Sequence, residues 1–255
     1  MDVSPLNPFD DFFEDDSYVL LKNYLYNYLL RKKAVEKNIR AESSGLILEV
    51  GSGLSPMITS SDAIVYSDLS LSGLQTLKHR HGKGWYVVAD AIHLPFRSDA
   101  FAYTVCSEVL EHIEEDRAAL RELARVLKPS GNLIITFPHR KFYFARDDHF
   151  VNHFRRYELD EMKDQIQTVG LRVFLVKKVL GPLEKMTMWF AVLCFSFLEK
   201  RKSNKPSATR RGLFFDILAL CFKIANRIFA VIVWLEAKIV PLSFATVLLI
   251  NAKKQ

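Results

Sequence analysis

LILEVGSGLS, residues 46–55, is an apolar run that ends in two glycines. Leu46–Val50 reads as a strand buried on both faces of a parallel sheet. Gly51 and Gly53 then let the backbone turn sharply and let a ligand come close to it. Nineteen residues beyond Glu49, a second apolar run ends at Asp68 within YSDLS. A carboxylate in that place can accept hydrogen bonds from both hydroxyls of a ribose. A third run is followed by Asp90-Ala91, and a fourth by Ser107-Glu108-Val109-Leu110-Glu111-His112. In an open sheet such strand ends line one crevice, where ligands bind.

The same alternation continues outward. Apolar runs at 46–50, 63–67, 86–89, 101–106, 132–137, 171–179 and 244–250 are separated by helical patterns. Ser70 can cap a helix whose apolar side is Leu71, Leu74 and Leu77. Glu114–Leu127 puts Leu120, Leu123, Ala124 and Leu127 on one face, and LKPSG ends it. Glu158–Val169 stops at Gly170, a residue suited to a helix C-terminus. Upstream, Ser17–Lys37 predicts a helix with Tyr18, Leu21, Leu25, Tyr28 and Leu29 on one side, packed on the sheet edge or closing over a ligand. The fold class is α/β, a doubly wound, Rossmann-like seven-stranded sheet. Three divisions follow: an acidic segment and helix (1–40), the sheet domain (41–180 and 242–255), and an insertion (181–241).

The chain has 255 residues, 49% hydrophobic and 25% charged, which excludes a disordered or fibrous protein. Cys106, Cys194 and Cys221 share no CxxC spacing, so a reducing compartment is favoured over a disulfide framework. The acidic N-terminus shows no secretory signal. The longest uncharged stretch, 239–252, contains a proline and predicts no membrane span. The net charge of +6 is unevenly placed: residues 1–181 carry 23 Lys and Arg against 25 Asp and Glu, and residues 182–255 carry 12 against 4.

The residues resemble the class I S-adenosylmethionine-dependent methyltransferases, in the branch that includes the quinone-biosynthesis C-methyltransferases. LILEVGSG, VYSDLS, ADAIHLPFRSDAF, VCSEVLEHI and ELARVLKPSGNLIITFP carry the resemblance in the family's order. The resemblance implies S-adenosylmethionine as cofactor and methyl transfer as reaction. It places Gly51, Ser52 and Gly53 against the methionine part, with Glu49 supporting its ammonium. It places Asp68 and Leu69 at the ribose, Asp90 and Ala91 at the adenine, and Ser107 nearest the sulfonium. Arg155, Arg156 and Tyr157 would lie beside the substrate cavity, there to bind an anionic acceptor group or to anchor the following helix, with Glu108 on the same side. Two features depart from the pattern. Ser55 replaces a third glycine, and only residues 51–62 separate the first two strands. That length leaves room for about one helical turn or none, and so removes a helix N-terminus that would help hold a carboxylate. A nicotinamide dehydrogenase shares the glycine turn and distal acid, but Pro56 and the ADA and SEVLEH segments argue against it.

His112, His139, His149 and His153 follow strand ends, where a histidine can take a proton from an acceptor. His112 and His139 are the candidate catalytic residues; His149 and His153 belong to the substrate side. His149 and His153 also have i,i+4 spacing, but no HExxH or cysteine cluster accompanies them, and no metal is expected.

The insertion holds two apolar helical segments, Met186–Leu198 and Leu213–Leu235, joined by a run with Lys200, Arg201, Lys202, Lys205, Arg210 and Arg211. In the second, Phe214, Ile217, Cys221, Ile224, Ile228, Val231 and Leu235 form a stripe. Two readings stand: a helical cap over a lipophilic cavity, or a contact with an anionic membrane surface. The expected acceptor is a small molecule, lipophilic, isoprenoid or lipid-linked, and the expected location is cytoplasmic, with the inner face of a membrane if the contact exists. Nucleic acid is not expected, since no aromatic residues interleave with the basic run. A non-enzymatic alternative is a degenerate methyltransferase fold that binds lipid or serves as an assembly subunit.

Overall fold

In the computed structural model the described residues are 23–39, 45–187 and 213–255, with 213–219 described as helical backbone. Seven strands form one sheet in the order β3-β2-β1-β4-β5-β7-β6. They are β1 (Ile47–Val50), β2 (Ile64–Asp68), β3 (Trp85–Val88), β4 (Phe101–Ser107), β5 (Leu127–Pro138), β6 (Leu171–Leu180) and β7 (Val247–Lys254). The first five are parallel, and β7 runs antiparallel to both β5 and β6. All strands except β7 therefore end on one side of the molecule. The pleat sends alternate residues into two cores, one on each face. Leu48, Val50 and Cys106 enter one, and Ile47, Tyr103 and Val105 the other.

Between β1 and β2 the chain crosses from 51 to 63 without a helix. Side chains hold this crossover in place of helical hydrogen bonds. The buried Glu49 carboxylate accepts from the amides of Met57 (2.6 Å) and Ile58 (3.1 Å). Tyr66 Oη donates to the Ile58 carbonyl at 2.8 Å, and Tyr28 Oη to that of Pro56 at 2.7 Å. Tyr28 lies on α1 (Tyr26–Glu36), as does Lys32, whose Nζ reaches the Pro56 and Met57 carbonyls at 3.3 Å. The N-terminal helix thus covers the crossover and satisfies its backbone. Tyr26, Tyr28, Leu30 and Val35 are its buried residues. Leu25 and Leu29 pack partly, while Tyr18 and Leu21 lie outside the described residues.

Ser70 caps α2 (Leu71–His81) by accepting from Gly73 N at 3.0 Å. Leu74 and Leu77 are buried, but Leu71 in the first turn is exposed. Helix α3 (Asp116–Val126) buries Ala119, Leu120, Leu123 and Ala124, and Leu127 already belongs to β5. After the short α4 (Arg146–Phe150), α5 (Leu159–Thr168) ends before Gly170 at φ +78.

Helix α6 (Leu213–Ile239) stands between β6 and β7 in the chain. Val233 and Ala237 are its buried residues, Phe229 stacks edge-on against Tyr26 at 5.1 Å, and Asn226 accepts from Tyr26 N. The expected stripe faces the other way: Cys221, Ile224, Ile228, Val231 and Leu235 are all exposed, Ile228 by 58%. Periodicity finds an apolar face but does not say which of two apolar faces packs inward. The side chains of Phe214 and Ile217, and most of the segment Met186–Leu198, lie outside the described residues. Among the described residues, no helix is long and apolar enough to cross a membrane.

Candidate active site

The site begins at the end of β1. Gly51 and Gly53 both adopt left-handed φ (+74 and +49). A Cβ at Gly51 would meet Val109 Cγ2 at 2.2 Å, so only glycine lets the loops after β1 and β4 lie together. At Gly53 a Cβ would have only Asp68 Oδ2 within 4 Å, at 3.9 Å, which leaves an open cradle above the carboxylate. Asp68 is oriented by two amides: Gly53 N donates to Oδ2 at 2.8 Å and Ser70 N to Oδ1 at 2.9 Å. Beside it Leu69 is exposed. Ser52 Oγ and Ser55 Oγ are buried in the same loop with no hydrogen-bond partner among the described residues. After β3, Asp90 Oδ1 accepts from Ile92 N at 3.1 Å, with Ala91 buried next to it.

At the end of β4, Thr136 Oγ1 donates to Glu108 Oε1 (3.1 Å) and shares a 2.7 Å bond with Ser107 Oγ. Glu108 Oε2 pairs with Arg31 of α1 at 3.3 Å, and Glu108 itself is held at φ +53. Glycine turn, Asp68, Asp90 and Ser107–Glu108 thus occupy successive strand ends of one sheet. Glu49 plays a different part, since both its oxygens serve the crossover amides. Burial, only partly offset by those amides, pushes its carboxyl up to about 7.

The histidines and their neighbours divide sharply. His112 and His153 meet edge to face at 4.7 Å between ring centroids, beside the buried Glu111. His139 is buried, its Nδ1 bound to the Ala245 carbonyl at 2.8 Å, and burial lowers its pKa. It braces the junction of β5 with β7. His149 is exposed against Phe144, because α4 ends at Phe150 and breaks the i,i+4 relation to His153. Arg156 is buried, with Nε donating to Asp148 Oδ1 at 2.7 Å. Tyr157 is 1% exposed and donates to Asp116 Oδ2 at 2.8 Å. Arg156 and Tyr157 therefore anchor the segment after α4.

Asp148 gathers Arg156, His153 Nδ1 (2.9 Å) and Lys185 Nζ (2.8 Å). Burial opposes its charge, yet these donors hold its carboxyl well below the usual carboxylate range. Glu111 goes the other way: burial, with Glu108 adding to it, raises its pKa well above normal. Arg31, Thr136 and Lys185 carry no sequence signal for these roles, since each reaches its partner from a distant element.

The chain matches, over residues 48–135, the family model described as a methyltransferase domain. It is similar to the demethylmenaquinone methyltransferase of Streptomyces griseus, 32% identical over 110 residues that cover 42% of this chain and 48% of the relative. An uncharacterised protein of Methanocaldococcus jannaschii is 33% identical over 39% of this chain and 43% of its own. The chain spans about half the length of the curated relatives it matches. Among solved structures, an S-adenosylmethionine-dependent methyltransferase from Thermotoga maritima superposes with TM-score 0.61 at 16% identity, over 97% of this chain and 98% of that one. Phosphoethanolamine N-methyltransferase 2 of Haemonchus contortus, in complex with S-adenosyl-L-methionine, gives 0.58 at 18%, over 98% and 60%. The cyclase SpnF shares the fold at 0.59 and 17%, over 89% and 81%.

The residues present suit that cofactor. The Gly53 cradle leaves room over Asp68, and the unpartnered Ser52 Oγ offers a buried donor and acceptor to a bound group.

Proposed function

We propose that this protein is an S-adenosylmethionine-dependent methyltransferase acting on a small, lipophilic, isoprenoid or lipid-linked acceptor. The observation that carries the reading is the Asp68 carboxylate, clamped between Gly53 N and Ser70 N beneath an open glycine turn. In this reading Asp68 takes the ribose hydroxyls, with Leu69 alongside, and Asp90 with Ala91 receives the adenine. Gly51, Ser52 and Gly53 border the methionine part, and Ser107 and Glu108 close the approach at β4. The chemistry supplied by the bound cofactor is an electrophilic methyl group on a sulfonium. The chain's own contribution is then positioning and exclusion of water, as an in-line displacement requires. Glu49 contributes indirectly, by fixing the crossover that begins with this turn.

Relatives named for demethylmenaquinone support a quinone-class acceptor. The outward apolar face of α6, with Lys223 and Arg227 on the same helix, supports approach to a lipid surface. Calorimetric titration tests the cofactor: S-adenosylmethionine and S-adenosylhomocysteine should bind and NAD should not. NAD binding alone would overturn the reading. The helix-free crossover favours a second reading, a lipid-binding protein without catalysis, and that reading is supported if neither ligand binds. Flotation with anionic and neutral vesicles tests the membrane contact; equal partitioning would count against electrostatic docking.

A further inference from the structure

Glu111 is the one charged side chain near the strand ends that is both wholly buried and without a hydrogen bond to either carboxylate oxygen among the described residues. A carboxylate left so costs several kcal/mol as an order of magnitude, unless a cation or proton meets it. Two imidazoles face it. His153 Nε2 lies 3.9 Å from Glu111 Oε1, too far for a hydrogen bond and near the separation of two ligands on one ion. His112 brings its ring against that of His153, and one ligand atom from each of the three residues falls within 4.8 Å of the others.

The surroundings fix these groups in place. Asp148, ionised between Arg156 and Lys185, accepts from His153 Nδ1. The proton on Nδ1 directs the Nε2 lone pair toward Glu111. A carboxylate orienting a ligating histidine through its other nitrogen is a recurrent feature of zinc sites. The backbone joins the two halves: Phe154 N donates to the Glu111 carbonyl at 2.8 Å, and His112 Nδ1 lies 3.3 Å from the Asn152 carbonyl. His112 thereby directs Nε2 away from the backbone.

We propose that Glu111, His112 and His153 bind a divalent transition-metal ion of the zinc class. Two imidazoles and a carboxylate are a known ligand set for zinc with an open position, and imidazole disfavours magnesium and calcium. Bonds of about 2.1 Å in a tetrahedron put ligand atoms about 3.4 Å apart, so the widest gap closes by roughly 1.4 Å on binding. The site lies just past Ser107–Glu108, where an acceptor must approach. Resting on the methyltransferase reading, the open position would take a hydroxyl or enol oxygen of the acceptor and favour its deprotonation, with the proton released to solvent.

The test is zinc binding by the full chain after chelation and dialysis, measured calorimetrically and by the visible spectrum of bound Co2+. One equivalent should bind, and Glu111→Gln and His112→Ala should each weaken binding at least tenfold. His149→Ala, which removes an exposed histidine four residues from His153, should leave it unchanged. Absence of zinc binding by the wild-type chain overturns the proposal, whatever the variants do. So does binding that survives Glu111→Gln but is lost in His149→Ala, which would mean surface histidines only. S-adenosylmethionine is titrated into the same samples. Loss of cofactor binding with zinc binding intact rejects the methyltransferase reading alone, and the reverse rejects the metal site alone.

Discussion

Glu49→Gln separates the two things the buried carboxylate does. In the wild-type chain both oxygens receive crossover amides, from Met57 at 2.6 Å and Ile58 at 3.1 Å. Burial pushes the carboxyl from the usual 4.5 up to about 7. The folded state therefore binds the proton more tightly than the unfolded chain. Stability from this group is fully present below pH 4.5 and is lost as pH rises through 7. With those two pKa values the loss between pH 5 and pH 8 comes to about 2.5 kcal/mol. Glutamine does not titrate, and its carbonyl oxygen accepts one crossover N–H, but its NH2 group cannot accept the other, which loses its partner at about 1–3 kcal/mol at every pH. The variant should therefore be less stable than wild type at pH 5, and the gap should narrow or reverse by pH 8. Urea unfolding followed by tryptophan fluorescence at pH 5, 6.5 and 8 measures it. A wild-type-minus-variant difference that stays constant across this range would refute the raised pKa, and with it the view that Glu49 is a structural residue rather than a solvated ligand group.

Further expectations follow from single contacts. Asp68→Ala should weaken S-adenosylmethionine binding at least tenfold in a titration while leaving zinc binding unchanged, since Asp68 ends β2 and Glu111 follows β4, with β1 between these strands in the sheet. Tyr157→Phe removes one hydrogen bond to the Asp116 carboxylate, which keeps Arg155 at 3.1 Å; a loss of about 1.5 kcal/mol in denaturant unfolding is expected. On α6 the two faces should behave oppositely. Val233→Ala, at a position with 0% exposure, should cost about 2 kcal/mol. Ile228→Gln should cost less than about 0.5 kcal/mol but reduce vesicle flotation.

Much of the site is legible in the sequence because its signals are local. Strand, glycine turn and following acid lie within a few residues of one another, and the parallel sheet brings successive strand ends to one side. The missing helix between β1 and β2 is legible from loop length alone. Ser70 and Gly170 are legible because capping and left-handed φ act over three or four residues. Other features depend on distant partners. Nothing near Glu49 announces that the amides of Met57 and Ile58 will close on it, or that Tyr28 and Lys32 of α1 will complete the enclosure. Arg156 and Tyr157 look like acceptor-side residues by position, yet Asp148 and Asp116 capture them. Histidine spacing suggests His149 with His153. The chain turns at Asn152, held at φ +58, and pairs His153 with His112 instead, across forty-one residues of sequence.

The orientation of α6 bears on the acceptor. A cap over an internal cavity needs its apolar stripe turned toward the sheet, and the stripe Cys221–Leu235 is turned outward. The inward face is supplied by a second set, Phe229, Val233 and Ala237, against α1 and β6. A helix apolar on both faces is stable only where both are covered, by protein on one side and by something apolar on the other. Its basic residues are spread along the described helix at Lys223, Arg227 and Lys238. Lys238 lies over the Trp234 ring at 3.5 Å and Lys223 over Tyr24 at 4.3 Å. Under the proposed membrane contact, these cations would reach the headgroup level while the aliphatic side chains lie below. It also places the apolar surface beside β6, whose carboxyl end opens on the same side as Asp68 and Glu111. An acceptor drawn from lipid would then reach the site along the edge of the sheet, without first crossing water.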